Sequence, residues 1–269
     1  MADQSFEENV LRMRLQYLRN EFSELLCRKN EMICHEENLL NIRYLNLFGQ
    51  KQYDVYCLKL DIAMLKRRKE YLDQFISNNR IPDLKVIDEE LAKDFGKYQK
   101  KLEEESLKIA VAREHVANNP LEAEQIKRAT ELYRAIIPHI HPRIYKETCD
   151  RCVDFLAKTN SAYVMLELNV LEEIAGMTSQ IEKEDHFADY KEFRSFVDTI
   201  EKIVANLKLK LDQMNLDFPF NVREDVDNQE WIESECARLD NEAQMLETEK
   251  RKLSDEVILC QLWKPDSLN

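Results

Sequence analysis

The sequence predicts an all-α protein: elongated antiparallel coiled-coil helices flanking a central helical hairpin. Three observations carry that expectation. The 269-residue chain holds only 3 glycines and 6 prolines, so it has few points at which to turn. Its charged fraction, 34%, exceeds the usual quarter and suits solvated helix faces. Leu11, Leu18, Leu25, Met32 and Leu39 recur every seven residues, the spacing of a helix seam. A sheet protein would need more turns, and a disordered chain would carry fewer large apolar residues. The mean hydropathy of −0.56 fits apolar residues laid out as stripes.

Taken in order, Ser5 and Glu8 have the form of a capping box that opens the first helix, and Leu15 and Phe22 add its second stripe. Gly49 interrupts or ends this helix. A second helix runs from about Gln50 to Ser77, with Tyr53, Cys57, Leu60 and Met64 on one face. The run Asn78 to Asp83 is a turn by composition. The seam returns over 84–116, where Phe95, Leu102, Ile109 and Val116 are seven apart, as are Leu91, Tyr98, Glu105 and Ala112. A short turn between two seamed helices predicts an antiparallel hairpin.

Asn119 and Pro120 signal the next helix start. The stretch LYRAIIPHIHPRIY (132–145) follows, with Pro138 and Pro142 four residues apart and His139 and His141 beside them. Proline lacks the N–H and crowds the preceding turn, so the incoming helix ends or bends here. A helix from about Glu147 to Ala175 comes next, with Gly176 as its cap. Ser179 and Glu182 open another helix, which reaches about Leu216 with Phe193, Phe196, Ile200, Ile203, Leu207 and Leu211 as its stripe. Phe218 and Pro219 break it. Asp227 with Glu230 opens the last helix, carrying Trp231, Leu239, Leu246 and Leu253 to about Leu262. Trp231, Trp263, Phe218 and Phe220 read as packing anchors. The division is 1–117 N-terminal helices, 118–177 central hairpin and 178–269 C-terminal helices. Connectivity predicts that helices 84–117 and 180–216 run back alongside each other.

The net charge of −13 disfavours nucleic acid and anionic membrane surfaces as partners. No apolar run approaches the ~20 residues that span a bilayer. The acidic start MADQSFEENV lacks the features of a signal peptide, and 7 scattered cysteines suit reduced thiols. A cytoplasmic protein is expected.

The central segment resembles a J-domain of the DnaJ-like, co-chaperone family, in the bacterial form where the module sits between coiled coils. Helix II would be 120–140 with its LYRAII run. The loop would be His141-Pro142-Arg143. Helix III would hold FLAKTNSAY (155–163), followed by LEEI (171–174); FPFN (218–221) before EWIE (230–233) extends the likeness. The resemblance implies docking to a DnaK-type chaperone or a client protein through Lys127, Arg128, Arg134, His141, Pro142 and Arg143. The family has Asp where Arg143 stands, and that Asp is implied to trigger ATP hydrolysis by the chaperone. The family's helix II is basic, whereas Leu121 to Met177 carries seven Lys and Arg against nine Asp and Glu. The expected function is therefore a non-enzymatic adaptor or scaffold that does not stimulate the ATPase.

Two alternatives stand beside it. One is a purely structural protein that self-associates through its coiled coils into a homo-oligomer. The other is a metal-dependent enzyme built on His139, His141, Cys149 and Cys152, residue types that suit Zn²⁺. A single close cysteine pair, three apart on a helix, fits core packing as well as a ligand pair. No metal and no cofactor are expected. Three isolated glycines cannot build a phosphate loop, and Cys34-His35-Glu36-Glu37 lacks the second His of a zincin helix.

Overall fold

A computed structural model describes residues 2–118, 122–147, 150–179, 181 and 185–264. The fold is all-α, and no strand occurs among the described residues. The elements are α1 (Ala2–Glu31), α2 (Glu37–Tyr44), α3 (Gln50–Ser77), α4 (Leu84–Asn118), α5 (Glu122–Ile140), α6 (Asp150–Val164), α7 (Leu168–Thr178), α8 (Tyr190–Leu216) and α9 (Gln229–Gln261). Among the described residues no helix is long and apolar enough to cross a membrane. The Asn119–Pro120 start signal lies outside the described residues, and Ser5 is already inside α1.

Two π-turns, Met32–Glu36 and Leu45–Gly49, join α1 to α2 and α2 to α3 without ending the helix. Each inserts extra backbone into a turn and so rotates the downstream face. This corrects the seven-residue seam. Leu18 and Met32 are buried and Leu25 is half-buried, but Leu39 is 37% exposed and Leu40 is 7% exposed. The seam moves on by one residue across the first π-turn. Leu39→Ala is therefore expected to cost under about 0.5 kcal/mol, against about 2 kcal/mol at Leu40; urea unfolding of both variants checks it, and equal losses would remove the register shift. Beyond the second π-turn the buried positions are Val55, Ile62 and Leu72, while Tyr53, Cys57, Leu60 and Met64 are half-buried. Gly49 does not end the helix. A Cβ there would lie 3.1 Å from Ile109 Cγ1, so glycine lets α4 approach closely.

The packing groups the chain into two units that are each discontinuous in sequence: 1–40 with 119–222, and 41–118 with 223–269. In the second, α3 and α4 form the expected antiparallel hairpin. Its turn closes with Asn79 in the left-handed region (φ 51°), Arg80 N–H donating to Phe75 O at 3.0 Å, and Asp83 capping α4. Helix α9 runs parallel to α3, as the pairs Lys66–Glu249 (2.8 Å) and Lys69–Glu256 (2.6 Å) require. These exposed ion pairs set register more than stability. Leu72, Ile87, Leu91 and Val257 form one core, and Phe48, Val55 and Leu239 another, with Trp231 edge-on to Phe48 at 5.4 Å.

In the first unit α8 runs parallel to α1: Arg14 pairs with Glu201 and Lys208 with Glu21 (2.6 Å). Leu15, Leu18 and Phe22 pack on Phe193, Val197, Ile200 and Val204. The partner of α8 in its unit is thus α1. Helix α8 starts at Tyr190 and not near Ser179. Asp189 accepts from Glu192 N–H and the Glu192 carboxylate from Ala188 N–H, both at 2.7 Å. The single helix expected over 147–175 is two. Leu166 adopts φ 55°, Glu167 N–H reaches Ala162 O at 2.9 Å, and Leu166 N–H reaches Tyr163 O at 3.3 Å, a Schellman closure without glycine. Gly176 lies inside α7. Phe220 is buried, and Phe218 is 52% exposed.

Candidate functional site

Helix α5 continues through Pro138 to Ile140, and a 3₁₀ turn, Pro142–Ile144, follows His141. Ile136, Ile137 and Ile140 hold α5 on a core shared with Cys27, Cys152, Ala162, Tyr163, Leu171 and Ile174. A polar network crosses that core. Asn30 donates to Tyr133 Oη at 2.7 Å, and Tyr133 donates to Asn160 at 2.8 Å. Thr130 and Tyr163 share a hydrogen bond at 3.1 Å, and the His35 ring meets Tyr163 edge-on at 4.6 Å. Every bond joins different helices, so the network fixes α1, α5 and α6 at one register. Burial pushes the Cys27 thiol and the Tyr163 hydroxyl up to about 12, which keeps both neutral at ordinary pH.

The loop after α5 is clamped from several sides. Its His141 Nδ1 accepts from Arg143 N–H at 3.3 Å, and its ring meets Phe22 at 4.9 Å. Tyr145 Oη donates back to Pro138 O at 2.7 Å, spanning the turn. From α1, Arg19 Nε donates to Ile144 O at 2.7 Å, its guanidinium pairs with Asp185, and it lies 4.5 Å over the Tyr145 ring. The Asp185 carboxylate accepts from Lys146 N–H at 2.9 Å. Lys146 Nζ then donates to His186 O at 2.7 Å and pairs with Glu192 at 2.9 Å, which holds the Glu192 carboxyl below its usual range.

These clamps place the sequence-predicted residues unevenly. Arg143 is exposed, and its guanidinium has no ion-pair partner among the described residues. His141 and Pro142 are half-buried, so the tripeptide is not a free tip; Phe22 covers its first residue. Lys127, Arg128 and Arg134 are on α5, with Arg128 and Arg134 about half exposed at their side chains. Arg128 pairs with Glu172 at 3.1 Å and Arg134 with Glu31 at 3.4 Å. Lys29 on α1 is half-buried, and its ammonium is held below its usual range, first by burial and then by the cations of Lys210 and Arg143. Three cations therefore share one neighbourhood of an acidic protein.

Three of the four residues of the metal alternative are described. Cys152 is buried in the core, His141 caps the 3₁₀ turn, His139 is half-buried, and Cys149 lies outside the described residues. Among the described residues no three His, Cys, Asp or Glu side chains are grouped to hold a metal ion. Sequence reasoning placed Phe22 on a helix stripe but not against the loop; the residues that it missed are Arg19, Lys29, Asp185 and Lys210. They lie on stretches far from the loop in sequence, and no local motif marks them. Comparison of the chain with protein-family models, curated proteins and solved structures finds no match.

Proposed function

We propose that the chain is a non-enzymatic, J-domain-like adaptor of the cytoplasm that docks a DnaK-type chaperone or a client protein at the α5–loop corner, without stimulating ATP hydrolysis. The observation that carries this reading is the clamped loop. Arg19, Asp185, Tyr145 and Phe22 hold the backbone still while the Arg143 cation stays exposed and unpaired among the described residues. A pre-ordered charge loses little entropy when it meets a partner. Lys127 on α5, with Lys29 and Lys210, adds attraction for an acidic partner surface. The described cysteines are free thiols, which suits a reducing compartment.

The loss of stimulation follows from charge. Guanidinium in place of carboxylate turns an attraction to a cationic partner site into a repulsion. At ~4 Å and an effective dielectric near 20, each interaction is worth about 4 kcal/mol before desolvation and relaxation reduce it. A quarter of that is about fivefold in rate. The test pairs capture by the host's own DnaK-type chaperone with a single-turnover ATPase assay. The expected result is salt-sensitive binding with no acceleration by the natural chain, and partial stimulation by Arg143→Asp. Acceleration by the natural chain, or no binding at any salt concentration, would overturn the chaperone reading.

A further inference from the structure

Helix α1 carries two apolar stripes on opposite sides. Leu11, Leu15, Leu18 and Phe22 turn inward, onto the core shared with α8. Phe6, Val10, Met13 and Tyr17 turn outward and are 68%, 51%, 75% and 55% exposed. Their spacing of four, three and four places them within about 60° of arc at 100° per residue. One exposed apolar side chain needs no explanation. A row of four at alternating three and four spacing is an unfilled helix seam.

We propose that this stripe pairs with the same stripe of a second copy of the chain, the two α1 helices lying antiparallel about a two-fold axis between Val10 and Met13. In that register Phe6 of each copy faces Tyr17 of the other, and Val10 faces Met13. The charges beside the stripe are self-complementary. Glu7 and Arg14 lie along one edge, both exposed. Antiparallel pairing sets Glu7 of each copy against Arg14 of the other, and symmetry makes the contact twice. On the other edge Asn9 meets Gln16, two exposed and uncharged side chains that can share a hydrogen bond.

Parallel pairing fits less well. It would set Arg14 against the neutral Asn9 and leave Glu7 without a cation. Glu24, exposed and seven residues beyond Tyr17, would also stack on its own copy, whereas antiparallel pairing keeps the two Glu24 side chains at opposite ends. Within its own chain Arg14 also meets Glu201, but both are about half exposed, so that pair is weak and leaves the guanidinium open to a second carboxylate. Arg14 lies 5.5 Å over the Tyr17 ring, which keeps it at the edge of the stripe. A seam of four layers is short, so the dimer dissociates on dilution. The inference does not depend on chaperone docking.

Sedimentation equilibrium of the full chain over a wide concentration range tests it. The expected result is a reversible monomer–dimer equilibrium. Val10→Asp with Met13→Glu abolishes the dimer while the circular dichroism stays unchanged, as does the unfolding midpoint at dilutions where the natural chain is monomeric, because both positions are exposed. Glu7→Arg alone and Arg14→Glu alone each weaken the dimer by about tenfold; the two together restore it. A natural chain that stays monomeric at every concentration overturns the proposal. So does a dimer that survives Val10→Asp with Met13→Glu. A double charge exchange no better than the single ones overturns the antiparallel register, because in parallel pairing Arg14 would face Asn9 and residues 7 and 14 would not meet.

Discussion

Asp185→Ala is expected to lower stability by about 3–5 kcal/mol, the loss typical when one partner of a buried ion pair is removed. The side chains of Arg19 and Asp185 are 13% and 8% exposed. Taking both charges out of water is costly, and only their mutual contact and their further hydrogen bonds offset it. Asp185 supplies two such links, to the Arg19 guanidinium and to Lys146 N–H. Alanine deletes both and leaves the guanidinium with only its Nε bond to Ile144 O and the Tyr145 ring beneath it. Asp185→Asn keeps the shape and an acceptor for Lys146 N–H but loses the charge, so its loss should be smaller. Urea unfolding of the two variants provides the comparison. Values below about 1 kcal/mol for alanine would mean that water reaches the pair and screens it.

Phe22→Ala should cost a similar amount, about 3–5 kcal/mol, because a large ring leaves a cavity that the surroundings fill only in part. Phe22 is fully buried among residues of α1 and α8, and its edge carries the His141 ring. The variant therefore has a second consequence at the loop. His141 loses its apolar support, so its backbone-capping geometry at Arg143 loosens. Phe22→Leu keeps most of the volume and should recover more than half of the stability, without restoring the aromatic contact. Amide hydrogen exchange at Arg143 and Ile144 reads the difference. Faster exchange in both variants places the aromatic contact itself among the clamps; unchanged exchange in Phe22→Leu would leave volume alone as the cause.

Helix content and turn positions were legible because local rules govern them. Few glycines, seven-residue spacing and a polar run at 78–83 are sufficient for α1, α3, α4 and their hairpin, since the 3.6-residue period and turn chemistry act over a few residues. The end of α5 and the span of α9 follow in the same way. What failed were inferences that depend on which helix lies beside which. The seam passed from Leu39 to Leu40 because the π-turn at Met32–Glu36, invisible in residue type, rotates the helix that follows it. Helix α8 lies parallel to α1 because ridges on distant segments fit, a pairing that no local rule specifies. Leu166 ends α6 in a conformation that glycine would have signalled.

The corner divides along the same line. The chain sequence by itself determined that a helix would end or bend at the two prolines, Pro138 and Pro142, and that Arg143 would stand beside His141 and Pro142. Only the tertiary structure decided that Arg19 and Phe22 from α1 and Asp185 from the segment before α8 hold that turn, and that Lys29 and Lys210 share its charge. The physical reason is range. Backbone dihedrals and capping bonds are settled among neighbours in the chain, whereas desolvation and charge pairing are settled among neighbours in space, and packing brings those together from more than a hundred residues apart.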